Sequence, residues 1–206
     1  MGLGSSSQTT QPVTNAELRK LLLSQPELQA LVGSDWGLLT VDQVPLVKEI
    51  GAIASQASVF RNGSQKIETQ LISFAAKDKA LAEIEKATLN YIELQLKEAE
   101  ANKAVIAVTP RKKDSDEYKK FIETFEKDLP ADRKDCKATE VVLLRLQATK
   151  DNFLKSIKLI FRLAAFPGVV ASVELASNPP SPDPKDELLL VVAKAQRDKL
   201  ANCAKK

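Results

Sequence analysis

Residues 131–166 read ADRKDCKATEVVLLRLQATKDNFLKSIKLIFRLAAF, and how this stretch is read decides the fold. Val142, Leu143, Leu146, Phe153, Ile157, Ile160 and Ala164 stand at spacings close to three and four. That is the signature of one buried helix face. Pro130 precedes the stretch and Pro167-Gly168 follows it, and both interrupt a helix. The spacing therefore predicts a long helix from about Ala131 to Phe166.

The same criterion extends upstream. Ile67, Leu71, Phe74 and Leu81 begin a stripe that Ile84, Ala87, Tyr91, Leu94, Ala101, Val105 and Val108 continue, which predicts a second long helix over 64–108. The positions that extend Ile67, Phe74 and Leu81 by sevens are Thr88, Gln95 and Asn102, so the stripe drifts as a globular helix does, not as a heptad seam. Leu46, Ile50, Ile53, Ala57 and Phe60 suggest a shorter helix that ends at Asn62-Gly63. Thr14-x-x-Glu17 and Ser24-x-x-Glu27 are capping boxes for two short helices, the second stopped by Gly33. Asp114-x-x-Glu117 opens a helix carrying Tyr118, Phe121, Ile122, Phe125 and Leu129. The segment 169–176 is open between helix and extended chain. A Pro-rich linker over 177–184 leads to a last helix from about Lys185 to Ala204.

Composition agrees with helices. Apolar residues make up 44 %, aromatics only 5 %, and there are seven glycines, so the apolar share rests on Ala, Leu, Val and Ile. The expected fold class is all-α: an elongated helical bundle of two long helices and several shorter capped ones. Residues 14–206 form its single domain, behind a disordered polar tether over 1–13.

The chain contains no histidine. Ser-His-Asp and Cys-His nucleophiles, His-ligated zinc and Glu-x-x-His di-iron sites are thereby excluded. No Gly-rich phosphate loop, G-x-S-x-G or C-x-x-C motif is present. Asp114-Ser-Asp116 opens like a calcium loop but has Tyr118 at the fifth position and no glycine at the sixth. Acids on the 64–108 stretch pair with lysines in the manner of Glu93 and Lys97, as surface ion pairs do. The expectation is no catalytic residue, no metal and no cofactor. Net charge is +3 with both signs interleaved, and the basic cluster Arg111-Lys112-Lys113 runs straight into Asp114, Asp116 and Glu117, so it reads as a solvated loop before a helix and not as a nucleic-acid stripe.

Four features point to binding. Trp36, between two short helices in Gly33-Ser-Asp-Trp-Gly37, reads as a plug over the end of the bundle or as a partner anchor. Residues 163–173 carry no charge, and Leu163, Phe166, Val169 and Val170 would form an apolar hairpin tip able to touch a membrane or partner. The stretch is too short to span a bilayer. Cys136 and Cys203 fall at one level if the last helix packs back on 131–166, which predicts a disulfide and an oxidising compartment. Residues 1–14 lack the apolar run of a signal peptide. Met1-Gly2 with Ser6 fits the loose myristoylation pattern, and a leader already removed is the alternative. The first expectation is a non-enzymatic protein–protein interaction or structural module with a protein partner, in an extracytoplasmic or secretion-type assembly. A membrane-active protein using 163–173 is the alternative, and an enzyme of unknown type the third.

Overall fold

The computed structural model describes residues 13–42, 52–74, 105–110, 115–129, 137–149, 154–178 and 182–203. It overturns the helical bundle. The described chain is a mixed α/β fold built on one seven-stranded antiparallel sheet. In chain order the elements are α1 (Asn15–Leu21), α2 (Gln25–Val32), β1 (Gly37–Asp42), β2 (Ala52–Asn62), β3 (Gln65–Phe74), β4 (Val105–Pro110), α3 (Asp116–Glu126), β5 (Ala138–Thr149), β6 (Leu154–Leu163), β7 (Val169–Ser177) and α4 (Asp186–Cys203).

The strand order is β1-β2-β3-β7-β6-β5-β4. It is two meanders, β1-β2-β3 and β4-β5-β6-β7, joined where β3 lies beside β7, from Gln65↔Ser177 to Ser73↔Val169. Asn62-Gly63 does not stop a helix. Asn62 pairs with Gln65 around a two-residue turn in which Gly63 takes a φ of 56°, the left-handed backbone that a primed hairpin turn requires. Pro110 is tolerated because it ends β4, an edge strand.

The expected helical stripes were made of residues that face opposite ways. Leu143 packs in the core beneath the helices, whereas its neighbour Val142 belongs to a second apolar cluster across the sheet. Ile157 and Ile160 divide in the same way, as do Leu71 and Phe74. A strand buried on both faces has apolar residues at both parities, and some of these inevitably fall three and four apart. The predicted helices over 131–166 and 64–108 are thus replaced by β5, β6, β3 and β4 wherever the chain is described, and the shorter one ending at Asn62-Gly63 is replaced by β2 from Ala52, with Leu46 and Ile50 outside the described residues. Residues 75–104, with Ile84, Tyr91 and Leu94, lie outside the described residues, as does Phe153.

The short helices are where the capping signals put them. Thr14 N donates to Glu17 Oε2 at 2.8 Å while Glu17 N donates back to Thr14 Oγ1 at 3.4 Å. Ser24 N donates to Glu27 Oε2 at 2.7 Å, and Gly33 ends α2 at φ 106°. α3 is the exception: its N-cap is Ser115, not the expected Asp114 of an Asp114-x-x-Glu117 box, and the Ser115 hydroxyl accepts from Tyr118 N at 3.2 Å. Asn15 does a second job: its Oδ1 accepts from the backbone N–H of Ser55 at 2.9 Å, on β2 beyond the last residue paired with β1.

The four helices among the described residues cover one face of the sheet, with α4 in the middle, touching β6, β7 and the other three. Two polar side chains of α4 are fully enclosed there. Gln196 donates through Nε2 to Leu21 O at 2.8 Å and accepts from Leu23 N at 3.2 Å, so one amide ties down the α1–α2 connection. Arg197 donates to Phe125 O near the C-terminal end of α3, stacks 5.2 Å over the Phe125 ring and pairs with Asp198. Phe125 has no exposed surface and meets Phe161 of β6 at 5.2 Å between ring centroids.

Truncating Phe125 to Ala should therefore destabilise the fold by roughly 3–5 kcal/mol. Gln196→Leu should cost about 1–3 kcal/mol for each backbone group of residues 21–23 left unpaired. Urea melts measure both, with Glu123→Ala on the exposed side of α3 as a control expected within about 0.5 kcal/mol of the parent.

Candidate binding cleft

The face of the sheet away from the helices changes character along its length. Towards one end it is apolar, with Ile72, Phe74, Val142, Leu144, Ile160 and Val170 in one cluster. Towards the β2–β3 turn it is charged. Register explains the pattern. Glu68 of β3 lies directly opposite Glu174 of β7, and Glu174 directly opposite Lys158 of β6. One row nearer the turn, Arg61, Lys66, Ala176 and Ser156 stand side by side on β2, β3, β7 and β6.

Two carboxylates facing each other across adjacent strands repel. Here each has a lysine. Lys66 Nζ lies 3.0 Å from Glu68 Oε2, and Lys158 Nζ lies 3.6 Å from Glu174 Oε2. Burial pushes the Glu174 carboxyl up, but Lys158 and Lys66, helped by a hydrogen bond with Ser156, outweigh it and hold the group below its ordinary value. Burial likewise pulls the Lys66 ammonium down, and Glu174 and Glu68 more than reverse that. Glu174 is therefore a fixed negative charge near neutral pH. A general acid needs a carboxyl that still holds its proton there, so Glu174 is suited to electrostatic positioning instead.

Beside this row opens a cleft of about 480 Å³, lined by Arg61, Gly63, Ser64, Gln65, Lys66, Glu174, Ala176 and Asn178. A smaller cavity of about 220 Å³ lies across the sheet from it, with Gln65, Lys66 and Ala176 lining both. Its other walls include Trp36, Leu175 and Leu188, with Pro182, Asp183 and Pro184 of the segment entering α4. That segment is held down by an ion pair of Lys155 with Asp183 at 2.5 Å.

None of the expected contact residues lines this cleft, and Trp36 alone among them lines the smaller cavity. Trp36 is 5 % exposed, packs into the main core and accepts through its carbonyl from Gln29 Nε2 at 2.7 Å. It fills space, as a plug would, while lining the cavity. The expected apolar tip over 163–173 is not a helical hairpin: it is the end of β6, a turn and most of β7. Leu163, Val169 and Val170 are buried in the two cores and Phe166 is partly buried against the main one, so their apolar surface is already used within the fold. Cys203 is exposed, with a free thiol near the end of α4, and Cys136 lies outside the described residues. Among the described residues, no helix is long and apolar enough to cross a membrane and no three Cys, Asp or Glu side chains gather as a metal site would. The charged row itself was missed from the sequence. Its signal was the alternation Lys66-x-Glu68 and Ser156-x-Lys158 inside otherwise apolar runs.

The paired charges set a pH dependence. Glu174 titrates below its ordinary 4.5 when folded, so the stability it contributes is present above about pH 4.5 and is lost as pH falls through the folded value. Lys66 titrates above 10.5, so its contribution holds below that pH and is lost as pH rises through the folded value. Glu174→Gln should accordingly lose less stability than the parent between pH 7 and pH 3 in urea melts; equal losses would show that Glu174 carries no net coupling. The chain matches no protein-family model, no curated protein and no solved structure.

Proposed function

We propose that this chain is a non-enzymatic protein-interaction module that meets its protein partner along the flank formed by α2 and β1. The supporting observation is where apolar surface remains uncovered. Five large apolar side chains are substantially exposed among the described residues, and three of them, Leu31, Leu38 and Leu39, fall within nine consecutive positions. Scattered exposed leucines need no explanation, but a run of them on an outer strand does.

The local backbone favours the same reading. β1 is an edge strand of six residues, and its register shifts between Leu38 and Thr40, so Leu39 bulges out of the ladder. A bulge re-aims a side chain and breaks the regular edge that would otherwise invite indiscriminate strand pairing. Leu39 is the most exposed of the three, at 58 %. Its projection supplies an apolar anchor of the kind that partner proteins bury. The charged row supports a non-catalytic role, since its carboxylates sit beside lysines 3.0 and 3.6 Å away.

A photo-crosslinking amino acid at position 39 should give a discrete adduct in the host cell, whereas the same group at Glu123 on α3 should not. Leu38→Lys with Leu39→Lys should abolish the association while leaving the far-UV CD spectrum and urea midpoint close to those of the parent. Equal labelling from positions 39 and 123 would remove the basis for the proposal.

A further inference from the structure

The α2–β1 flank carries a charge signature as well as its leucines. Thirty Lys and Arg are spread through the chain, yet none occurs from Leu21 to Val47, the longest stretch without a cation. Three acids fall within it: Glu27, Asp35 and Asp42. Glu27 is neutralised by Lys199 of α4 at 2.6 Å. Asp35 is exposed in the turn between α2 and β1 and has no ion-pair partner among the described residues.

The same turn is held in shape. Gln29 of α2 donates through Nε2 to Ser34 O at 3.0 Å and to Trp36 O at 2.7 Å, so one amide fastens the turn to the helix before it. Trp36 fixes the other end by burying its ring in the main core. Leu31, Asp35, Leu38 and Leu39 are thus carried on a short frame anchored at both ends, and a partner that docks there has little ordering to impose.

Charge and edge geometry decide what fits. A negative group beside exposed leucines repels nucleic acid and anionic lipid, and attracts cations set beside apolar side chains. The register shift at Leu39 interrupts the β1 edge. An added strand needs a regular ladder, whereas a helix docks through its side chains. We propose that the flank receives an amphipathic helix of the partner, whose apolar residues cover Leu31, Leu38 and Leu39 and whose Lys or Arg residues lie against Asp35. This rests on the flank being the docking surface and adds the chemistry of what docks.

The chain as a whole carries +3, so a cationic peptide has no general attraction to it and must find a local site. Three fluorescent 14-residue helical peptides, about 21 Å long, are titrated against the full chain by anisotropy. One is built of Leu and Lys, one of Leu and Glu in the same pattern, and one of Ala and Lys. The Leu/Lys peptide should bind saturably at one site per chain, and the other two on the order of tenfold more weakly. Asp35→Lys, at an exposed turn position, should weaken Leu/Lys binding on the order of tenfold, and Asp35→Asn by less. Leu38→Ser with Leu39→Ser should weaken it at least tenfold, and Glu123→Gln should leave it unchanged. Leu/Glu binding as tight as Leu/Lys, and lost in the Leu38/Leu39 variant, would keep the flank as a docking surface but overturn its basic partner. Unchanged Leu/Lys affinity in Asp35→Lys would do the same. Leu/Lys binding that survives the Leu38/Leu39 variant, or no saturable binding up to 1 mM, would also overturn the proposal. Labelling from position 39 in the host cell then still tests the flank by itself.

Discussion

Burying the interior of this sheet depends on one helix that carries polar groups into an apolar layer. α4 lies across β6 and β7 and touches each of the other three described helices. A helix so placed is expected to present only apolar residues, and Leu189, Val192, Ala193, Leu200 and Ala201 do so. Gln196 and Arg197 are the exceptions. An enclosed amide or guanidinium left unpaired is costly, so the helix layer has one arrangement in which both are satisfied. In it, the turn between α1 and α2 supplies a carbonyl and an N–H, and the end of α3 supplies another carbonyl and a ring face. The apolar contacts provide most of the attraction, and the two polar side chains select the geometry. Surface pairs such as Lys199–Glu27 and Lys194–Asp128 join the same elements but add little, being partly exposed.

How much of this was legible in the sequence follows from how local each signal is. A capping box lies within four residues, so Thr14-Glu17 and Ser24-Glu27 located α1 and α2 closely. Strand pairing is non-local, and the residues of β5 and β6 that decide it were ambiguous. Ile157, Leu159, Phe161 and Leu163 alternate with Lys158 and Arg162, which is a strand pattern, but Ile160 interrupts it because it belongs to the apolar cluster on the other face. That one residue is enough to complete a helical spacing with Ile157 and Ala164. Asn62-Gly63-Ser64 was correctly read as a break, yet a break cannot reveal whether its flanks are helices or strands. The abundance of Leu and Ala biased the reading further, since both favour helices when tertiary contacts are ignored. Burial survived the error better than direction did: Phe121, Phe125, Leu143 and Ile157 were expected in the core and are there.

The candidate cleft was illegible for a related reason. Its members come from β2, the β2–β3 turn, β3 and β7 with the residue after it, and no short window contains them. A helical reading gives Glu68 and Lys158 no reason to meet. Read in register, they complete a row in which two carboxylates and two ammonium groups hold one another. The row also divides the sheet face away from the helices into a charged end and an apolar end, where Ile160 and Val170 are only 1 % exposed. Trp36 lies on the other, helix-covered side of the sheet, where it closes the main core and lines only the smaller cavity.

The β3–β7 junction has a consequence in time. Gln70 and Ser172 are 102 positions apart in sequence, yet their side chains meet at 3.4 Å across neighbouring strands. The first meander therefore emerges from the ribosome with β3 as a bare edge, and its pairing strand follows only after about a hundred more residues. At roughly 5–20 residues per second that interval lasts on the order of 5–20 s. Over that time the edge has Ile67, Leu71 and Ile72 uncovered beside unpaired amides, which is the surface that chaperones recognise and that aggregates grow from. Chain synthesis rate and holdase supply thus become determinants of yield for this fold, independently of how stable the finished molecule is.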